Sequence, residues 1–573
     1  MRRFWVFVLG VFAVFAVCFP AQADEPSFTI EQMSPEVLGV DDSLTLELGF
    51  SGPPAQNVDL KVFLEPESAI HPEHLDQYLA GSESPGVPVY FGSGTASDHM
   101  SIVIPANDLP TPEVDIAGPH GLTVVASFGD VSLEARTIVV FDTDEYPRTE
   151  ISVLAIEPAD ESAFTDVLGV SIASPRKSAD LVLPGDGADL SLLAAGGAPV
   201  ANLLNLASAT IPDSDSMPVL ASELGFTNEA IAAFPGRAII APKSWSADKG
   251  LITPNSRTEV AGTTVVDQWK AGTDLLSAPE GSPAEELVIR QKLRSASMWV
   301  GLEDPSDHRT LLASVSDGTT AAQALRIKAL LDSAWVAPAS LQDVLESPIS
   351  TVPRPPIPPM SQDAIDAIAL LQPLSELYST AVSVSKATSA GVSLVEPLKG
   401  EVLSAAGAQL DEAQRLAIAG KATSRLQDIT QMIEVIPLGP VNIVNSTANF
   451  PVSIKNNGDV NISVEVFLQP SDPRLQSKES VFVKVPGKGQ TEVSLPVTAV
   501  GYGDVEAVIR TATPGGITLD DSQSVSVRVR ANWEDTGTVV ALSTLGLLFV
   551  FGLVRTIIRR RRRTVASRGE GIE

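Results

Sequence analysis

Six residues in the middle of the chain could do chemistry on a sugar. Each follows a short apolar run ("LVLPG", "AIIAP" or "TTVV") that is typical of a buried strand, and in barrel-like α/β folds the chemistry lies at the carboxyl ends of strands. Two carboxylates beside a glycosidic bond, with an aromatic platform, would suit glycoside hydrolysis. The catalytic candidates are therefore Asp186, Asp189 and Asp267, and the binding candidates are Lys243, Trp245 and Trp269.

The same residues also fit structural roles. Asp186 lies in Gly-Asp-Gly, which is an ordinary turn sequence. Asp189 could cap a helix that starts at Leu190, and Trp245 and Trp269 could belong to a hydrophobic core. Catalysis, carbohydrate binding without catalysis, and a purely structural role all remain open at this point.

Metal and cofactor chemistry have few candidate residues. His71-Pro72-Glu73-His74 offers two imidazoles and a carboxylate, but the stretch is typical of a loop and no further ligand is evident, so we predict no metal site. His308 is the only histidine of the middle region, and Cys18 is the only cysteine of the chain. The sequence has no P-loop, dinucleotide glycine fingerprint or G-x-S-x-G elbow. We therefore predict no cofactor.

Alternating apolar residues predict β-structure near both ends of the chain. The region from Ser27 to Phe141 and the region from Pro437 to Arg530 contain period-2 runs separated by Gly, Pro and Asn/Asp turns, which is typical of β-sandwiches. The turns at 456–459 (Asn-Asn-Gly-Asp) and 486–489 (Pro-Gly-Lys-Gly) predict hairpins.

The region between them alternates strand-like and helix-like segments, which predicts an α/β arrangement with parallel strands. From Ser282 to about Leu345 the pattern predicts helices, and the proline-rich stretch that follows predicts an extended connector. The fold class is thus multidomain α and β: two immunoglobulin-like β-sandwiches flank an α/β middle, short for a complete barrel, plus helices, with one C-terminal transmembrane helix. The predicted boundaries are 1–23 (signal peptide), 24–146 (sandwich), 147–346 (α/β), 347–360 (connector), 361–435 (helices), 436–532 (sandwich), 538–558 (transmembrane helix) and 559–573 (basic tail).

Both ends of the chain predict membrane targeting. Two arginines, an apolar run from Phe4 to Phe19 and Ala21-Gln22-Ala23 have the layout of a signal peptide. The second apolar run is long enough to cross a hydrocarbon core of ~30 Å. It lies between an aromatic residue and a basic cluster, which predicts that the cluster is cytoplasmic. The orienting residues are Trp533, Arg559, Arg560, Arg561, Arg562 and Arg563.

The predicted external part is strongly acidic. The 573-residue chain has a net charge of −31. Without the two arginines of the signal segment, and without the seven arginines and two glutamates from Arg555 onward, 30 basic and 68 acidic residues remain, a net charge of −38. Such a surface repels nucleic acid. We therefore expect no nucleic-acid partner.

The C-terminal stretch from "FPVSIKNNGDVNISVEVFLQP" to "LLFVFGLVRTIIRRRRR" resembles the end of an uncharacterised actinobacterial cell-envelope family, whose genes often neighbour that of the lipid II flippase. "EQMSPEVLGVDDSLTLELGF" is similar to the N-terminal sandwich of that family, and "VLPGDGADLSLLAAGG" is similar to its middle domain. The resemblance implies that the middle is a divergent carbohydrate-hydrolase barrel, and it implies no established reaction.

These observations predict a single-pass membrane protein with an extracytoplasmic body and a cytoplasmic tail. The first hypothesis is a non-enzymatic binding or scaffolding protein linked to cell-wall assembly, and the alternative is a membrane-tethered hydrolase of a wall polysaccharide. The expected partners are membrane lipid and a cell-wall polymer or envelope protein.

Overall fold

A computed structural model describes residues 27–39, 41–51, 57–69, 71–95, 99–109, 117–142, 148–164, 167–177, 179–184, 187–211, 217–246, 252–303, 308–315, 319–436, 439, 441–530 and 533–565. The predicted signal peptide, 1–23, lies outside these ranges. The chain forms two compact units. The first comprises 1–184, 189–195 and 208–361, and the second comprises 185–188, 196–207 and 362–573.

The first unit begins with two β-sheets that pack face to face. The elements are β1 (Ser27–Ser34), β2 (Val37–Leu38), β3 (Leu44–Ser51), β4 (Asn57–Leu64), α1 (Pro72–Leu79), β5 (Val87–Thr95), β6 (His99–Ile104), β7 (Gly118–Phe128) and β8 (Val131–Phe141). One sheet has the order β1-β3-β6 and the other the order β2-β8-β7-β4-β5. Alternate residues such as Leu44, Leu46 and Leu48 are fully buried between the sheets, as the period of two requires.

The α/β region of the first unit follows directly. Its strands are β9 (Thr149–Ile156), β10 (Val170–Ser174), β11 (Leu181–Val182), β12 (Val219–Leu220), β13 (Ile239–Ile240), β14 (Arg257–Val260), β15 (Thr263–Val266), β16 (Thr310–Val315) and β17 (Val336–Pro338). Its helices are α2 (Leu190–Gly196), α3 (Ala201–Ser208), α4 (Asn228–Ala233), α5 (Lys270–Leu276), α6 (Pro283–Glu303), α7 (Ala321–Leu331) and α8 (Leu341–Glu346); the part of α3 before Ser208 belongs to the second unit.

The strands of this region form two curled, half-barrel sheets. Their orders are β11-β10-β9-β16, with β17 also on β9, and β12-β13-β15-β14. All pairs are parallel except β14 with β15. The sheets adjoin where the Trp269 amide donates to the Leu312 carbonyl at 2.6 Å. The prediction of parallel strands in an α/β middle is confirmed.

The prediction that 282–345 is helical throughout is wrong. Helices α6 and α7 are present, but the fully buried strand β16 lies between them, and β17 precedes α8. The sequence of β16, "TLLASV", is a short apolar run, and such a run does not distinguish a buried strand from a buried helical segment.

Helix α6 joins the sandwich to the α/β sheets within the first unit. Its Leu287 belongs to the sandwich core and its Leu293 to the core of the α/β region. Glu36 pairs with Arg290 at 2.8 Å and also contacts Arg294. Burial alone would raise the pKa of Glu36, but hydrogen bonding to Arg290 and the charge of Arg294 hold it below its usual value. The first pair of β-sheets and the α/β sheets are therefore packed together through α6.

The second unit contains a helical segment and a second pair of sheets. Its elements are α9 (Gln362–Ser385), α10 (Lys399–Ser404), α11 (Glu412–Thr430), β18 (Ile433–Ile436), β19 (Val441–Ile443), β20 (Thr447–Asn456), β21 (Ile462–Pro470), β22 (Leu475–Gln476), β23 (Val481–Val485), β24 (Gln490–Ala499), β25 (Tyr502–Ala512), β26 (Thr518–Arg530) and α12 (Trp533–Val565). The sheet orders are β18-β20-β24-β22 and β19-β26-β25-β21-β23.

The two predicted hairpins are not hairpins. The turns at 456–459 and 486–489 each connect a strand of one sheet to a strand of the other. The buried side chain of Asn456 determines the first turn, because its amide donates to the Val460 carbonyl at 2.8 Å and accepts from the Gly458 amide at 2.9 Å. A turn-forming sequence thus predicts the reversal but not the sheet that the next strand joins.

Helix α12 contains a segment, Thr538–Arg559, that is long and apolar enough to cross a membrane, with a mean hydropathy of 2.0. Its side chains from Val539 to Ile558 are exposed. Trp533 is the first residue of α12, and Arg559 to Arg563 lie in its last turns. The prediction of one apolar C-terminal helix is confirmed.

Candidate functional site

The carboxyl ends of the adjacent parallel strands β13 and β15 bring most of the predicted residues to one edge of the sheet. Ile240 ends β13 and Val266 ends β15, and these two residues are partners in the ladder. Trp245 follows the first strand and Asp267 follows the second. This edge is where α/β folds place their ligands.

Asp267 is buried at this edge in an ion pair. Its Oδ2 lies 2.8 Å from Nε of Arg354, and the two side chains are only 5% and 4% exposed. Arg354 also donates from Nη2 to the Asn255 carbonyl at 2.6 Å. Burial lowers the pKa of Arg354, and the charge of Asp267 opposes that shift. The carboxylate is thus engaged by a cation of the chain itself.

Arg354 belongs to a proline-rich segment that lies across the edge, and we name residues 347–355 the strap. The Ser350 amide of the strap donates to the Arg257 carbonyl at 2.8 Å, and Arg257 Nη1 donates back to the Ser347 carbonyl at 2.8 Å. Trp245 Nε1 donates to the Pro355 carbonyl at 2.9 Å. The predicted connector is therefore extended, but it is bound to the sheet edge rather than free.

Helix α8, which immediately precedes the strap, covers one face of the curled sheets. Its Leu341 and Val344 pack in one cluster with side chains from six strands, namely Leu154, Ala173, Leu181, Ile240, Val266 and Leu312. The Leu341 amide also donates to the Ser171 hydroxyl at 3.1 Å. In the described part of the chain, the face that a barrel would enclose is thus filled by α8.

A small cavity of about 150 Å³ remains beside the ion pair. Among the described residues that line it, Asp267 is the only carboxylate; Trp269 and Lys270 also contribute to its wall. Asp189 and Lys243 do not line it. A glycosidase of either stereochemistry uses a pair of carboxyl groups, so the described lining holds half of such a pair.

Asp189 caps helix α2. The carboxylate is buried and accepts from the Leu192 amide at 3.0 Å and from the Ser191 hydroxyl at 2.5 Å, and it also accepts from the Ser222 hydroxyl. Burial raises the pKa of Asp189, although these hydrogen bonds counteract the shift. Asp189 therefore has the geometry of the capping role that the sequence left open.

The three binding candidates also have contacts within the protein. Lys243 is exposed and pairs with Asp274 at 3.3 Å. Trp245 packs on Phe226. Trp269 is in the core next to Gly272, where a Cβ would lie 2.1 Å from the indole ring.

Asp186 lies outside the described residues. Arg354 is the residue that sequence reasoning missed. It stands in a proline-rich run with no periodicity, so no sequence pattern indicates that its side chain is buried.

Replacing either partner of the ion pair should destabilise the first unit. Arg354→Ala removes the guanidinium that faces the buried carboxylate of Asp267, and Asp267→Ala removes the carboxylate that faces the buried guanidinium, so each should lower the free energy of unfolding by about 3–5 kcal/mol. The double variant Asp267→Leu/Arg354→Met should lose less than the sum of the single variants. Urea unfolding followed by tryptophan fluorescence measures this. Arg176, whose side chain is 69% exposed and pairs with Glu161, provides the control, because Arg176→Ala removes a solvated charge and should change stability by no more than about 1 kcal/mol. Additive single effects would contradict the pairing.

Replacing Asp189 separates its capping role from its charge. Because the folded-state pKa is raised, the folded protein binds this proton more tightly than the unfolded chain does, so the carboxyl destabilises the fold increasingly as pH rises above its unfolded value of about 3.9. Asp189→Asn keeps the cap. It should therefore be at least as stable as the natural protein at pH 7, with an advantage that shrinks toward pH 3.

The control Asp189→Ala loses the cap and should cost about 0.5–2 kcal/mol. Thermal unfolding at both pH values measures the three proteins. If Asp189→Asn is as unstable as Asp189→Ala at pH 7, the capping account is wrong.

Comparison with known proteins gives a family but no activity. No curated protein matches the chain. Similar solved structures include WR4, an MSP family member of C. elegans (17% identity, 18% of this chain and 98% of that one, TM-score 0.13), the PapD-like domain 7 of human CEP192 (9%, 18% and 85%, 0.13) and a CARDB domain from Pyrococcus furiosus (17%, 17% and 90%, 0.14).

Residues 271–567, just over half of the chain, match the profile of a family of unknown function, DUF6049. The matched stretch runs from helix α5 through the strap and the second pair of sheets to the apolar helix α12. The chain belongs to the DUF6049 family.

Proposed function

We propose that this protein is a single-pass, membrane-anchored extracytoplasmic protein of the bacterial cell envelope that binds its partners without cleaving them. In this proposal the two immunoglobulin-like β-sandwiches serve as spacers and binding modules, and they hold the α/β region outside the membrane near the machinery of cell-wall assembly. The observation that carries the proposal is the buried pairing of Asp267 with Arg354. The ion pair engages Oδ2 of the one carboxylate in the described lining of the cavity, and a glycosidase needs two carboxyl groups.

The closed edge of the sheet argues against hydrolysis of a polysaccharide at the strand ends, and it leaves binding of partners to the other surfaces of the body. A polysaccharide chain would need the space at the strand ends that α8 and the strap fill. The partners that we propose are a wall polymer or an envelope protein, together with membrane lipid at helix α12. The net charge of −38 that we calculate for the external part favours basic partners and disfavours nucleic acid.

A membrane-tethered carbohydrate-active hydrolase is the second candidate. The cavity beside Asp267 and Trp269 favours it, because it places one carboxylate next to an aromatic side chain. Hydrolysis there would require that Arg354 leave Asp267 and that a second carboxyl group join the site.

Incubation of the detergent-solubilised full chain with peptidoglycan and arabinogalactan fragments tests the two functions. We expect the protein to bind one of the polymers, so that the two sediment together. We expect chromatography of the incubated fragments to show no new products. Asp267→Asn is the matched variant. New products that disappear with an Asp267→Asn protein that still unfolds cooperatively would establish the hydrolase, and failure to bind either polymer would refute wall-polymer binding.

The membrane orientation has its own test. Arg559 to Arg563 should remain cytoplasmic, because basic residues near a membrane end resist translocation. Leu548→Arg should weaken anchoring and release some of the body, because a charge near the bilayer centre costs about 2.5–3.5 kcal/mol on insertion scales. Leu548→Phe should stay anchored. Protease treatment of wall-stripped cells should digest the body and spare a C-terminal tag; a protected body with a digested tag would reverse the orientation.

A further inference from the structure

Three side chains of the first sandwich meet beside helix α1. Glu65 directly follows β4, His74 lies on α1, and Glu83 lies in the segment between α1 and β5. The expectation that His71 to His74 form a loop is wrong, because His71 is the N-cap of α1 and Pro72 is its first residue. The helix turns His74 toward the two glutamates, and no sequence pattern groups them with it.

The ligand atoms have the spacing of a shared ion. His74 Nε2 lies 3.2 Å from Glu65 Oε1 and 2.8 Å from Glu83 Oε2. All three atoms lie within 4.8 Å of one another. Ligands at the tetrahedral angle on an ion at about 2.0–2.2 Å would be separated by about 3.3–3.6 Å, so binding would move His74 and Glu83 apart by about half an ångström. An imidazole nitrogen carries at most one hydrogen, which two carboxylates here would have to share, whereas an ion can bind all three groups.

The surroundings hold Glu65 in place while leaving the cluster accessible. Glu65 Oε2 accepts from the Gly121 amide at 3.2 Å, which leaves Oε1 directed at His74. The Glu65 amide donates to the Gly121 carbonyl at 2.9 Å. The side chains of Glu65, His74 and Glu83 are 12%, 34% and 28% exposed, so an ion could enter from solvent. Orientation of ligands by such outer hydrogen bonds is typical of metal sites.

We propose that Glu65, His74 and Glu83 form a binding site for a divalent transition-metal ion. One imidazole and two carboxylates suit Zn²⁺, which takes nitrogen and oxygen ligands at about 2.0–2.2 Å and would keep water in its fourth position. Manganese accepts the same donors with lower affinity. The bound ion would join the end of β4, helix α1 and the segment before β5, and so stabilise this side of the sandwich.

Zinc titration of the full chain in detergent, after removal of metal with a chelator, tests the proposal. We expect one Zn²⁺ per chain by elemental analysis after desalting, and an increase in the unfolding temperature on addition of Zn²⁺. His74→Gln and, independently, Glu83→Gln should each weaken Zn²⁺ binding at least tenfold in competition with a chromophoric chelator, and should abolish the increase in unfolding temperature.

His99→Gln is the matched control, because His99 also pairs with a glutamate, Glu31, at 3.1 Å but is not a member of the three-residue cluster. It should leave zinc binding unchanged. If His74→Gln fails to fold, the Glu83→Gln variant decides. Retention of zinc by Glu83→Gln, an equal loss with His99→Gln, or no stoichiometric binding by the natural protein would each overturn the site.

Discussion

Burial of opposite charges at the carboxyl end of β15 is the constraint on which the α/β region depends. Removing an ion from water costs several kcal/mol, and only a well-placed partner offsets that cost. Asp267 has that partner in Arg354. Since Arg354 lies 87 positions further along the chain, satisfying this one carboxylate requires the strap to return to the edge of the sheet.

Other contacts of the strap and of helix α8 also hold the strap at the edge of the sheet. The strap is rich in proline, which lacks a backbone donor, so side chains supply many of its contacts. Arg257 donates to the Ser347 carbonyl and Trp245 to the Pro355 carbonyl. Helix α8 comes just before the strap, and its apolar face is buried against the inward side chains of the strands. Asp267 and Trp245, which lie at positions typical of an active site, thus bind the strap that covers the edge of the sheet.

The sequence predicted the elements whose signal is local. The period-2 runs predicted both pairs of sheets, and the apolar run after Trp533 predicted helix α12. Strand β16 was missed because six buried residues carry no period. The sandwich turn after Asn456 was misassigned because turn chemistry is local, whereas the choice of sheet depends on packing between distant strands.

For the candidate residues too, the local sequence predicted positions but not contacts with distant segments. The apolar runs predicted that Asp267 and Trp245 follow the ends of strands. No sequence pattern predicted their partners in the strap. The link between Asp189 and Ser222 spans 33 positions and joins separate elements. The grouping of Glu65 and Glu83 around His74 depends on helix α1, where the sequence suggested a loop. Pairings across distant segments carry no local pattern and become visible only in the folded chain.

Hydrogen–deuterium exchange of the strap tests its closure of the sheet edge most directly. The amide of Ser350 donates to the Arg257 carbonyl, and that of Ser347 to the Val344 carbonyl at 3.3 Å. We expect both amides to exchange as slowly in the natural full chain as those of β15, and we expect Arg354→Ala to accelerate their exchange. Rapid exchange of the strap in the natural protein, with β15 still protected, would contradict this closure, because the edge of the sheet would then be open to a ligand.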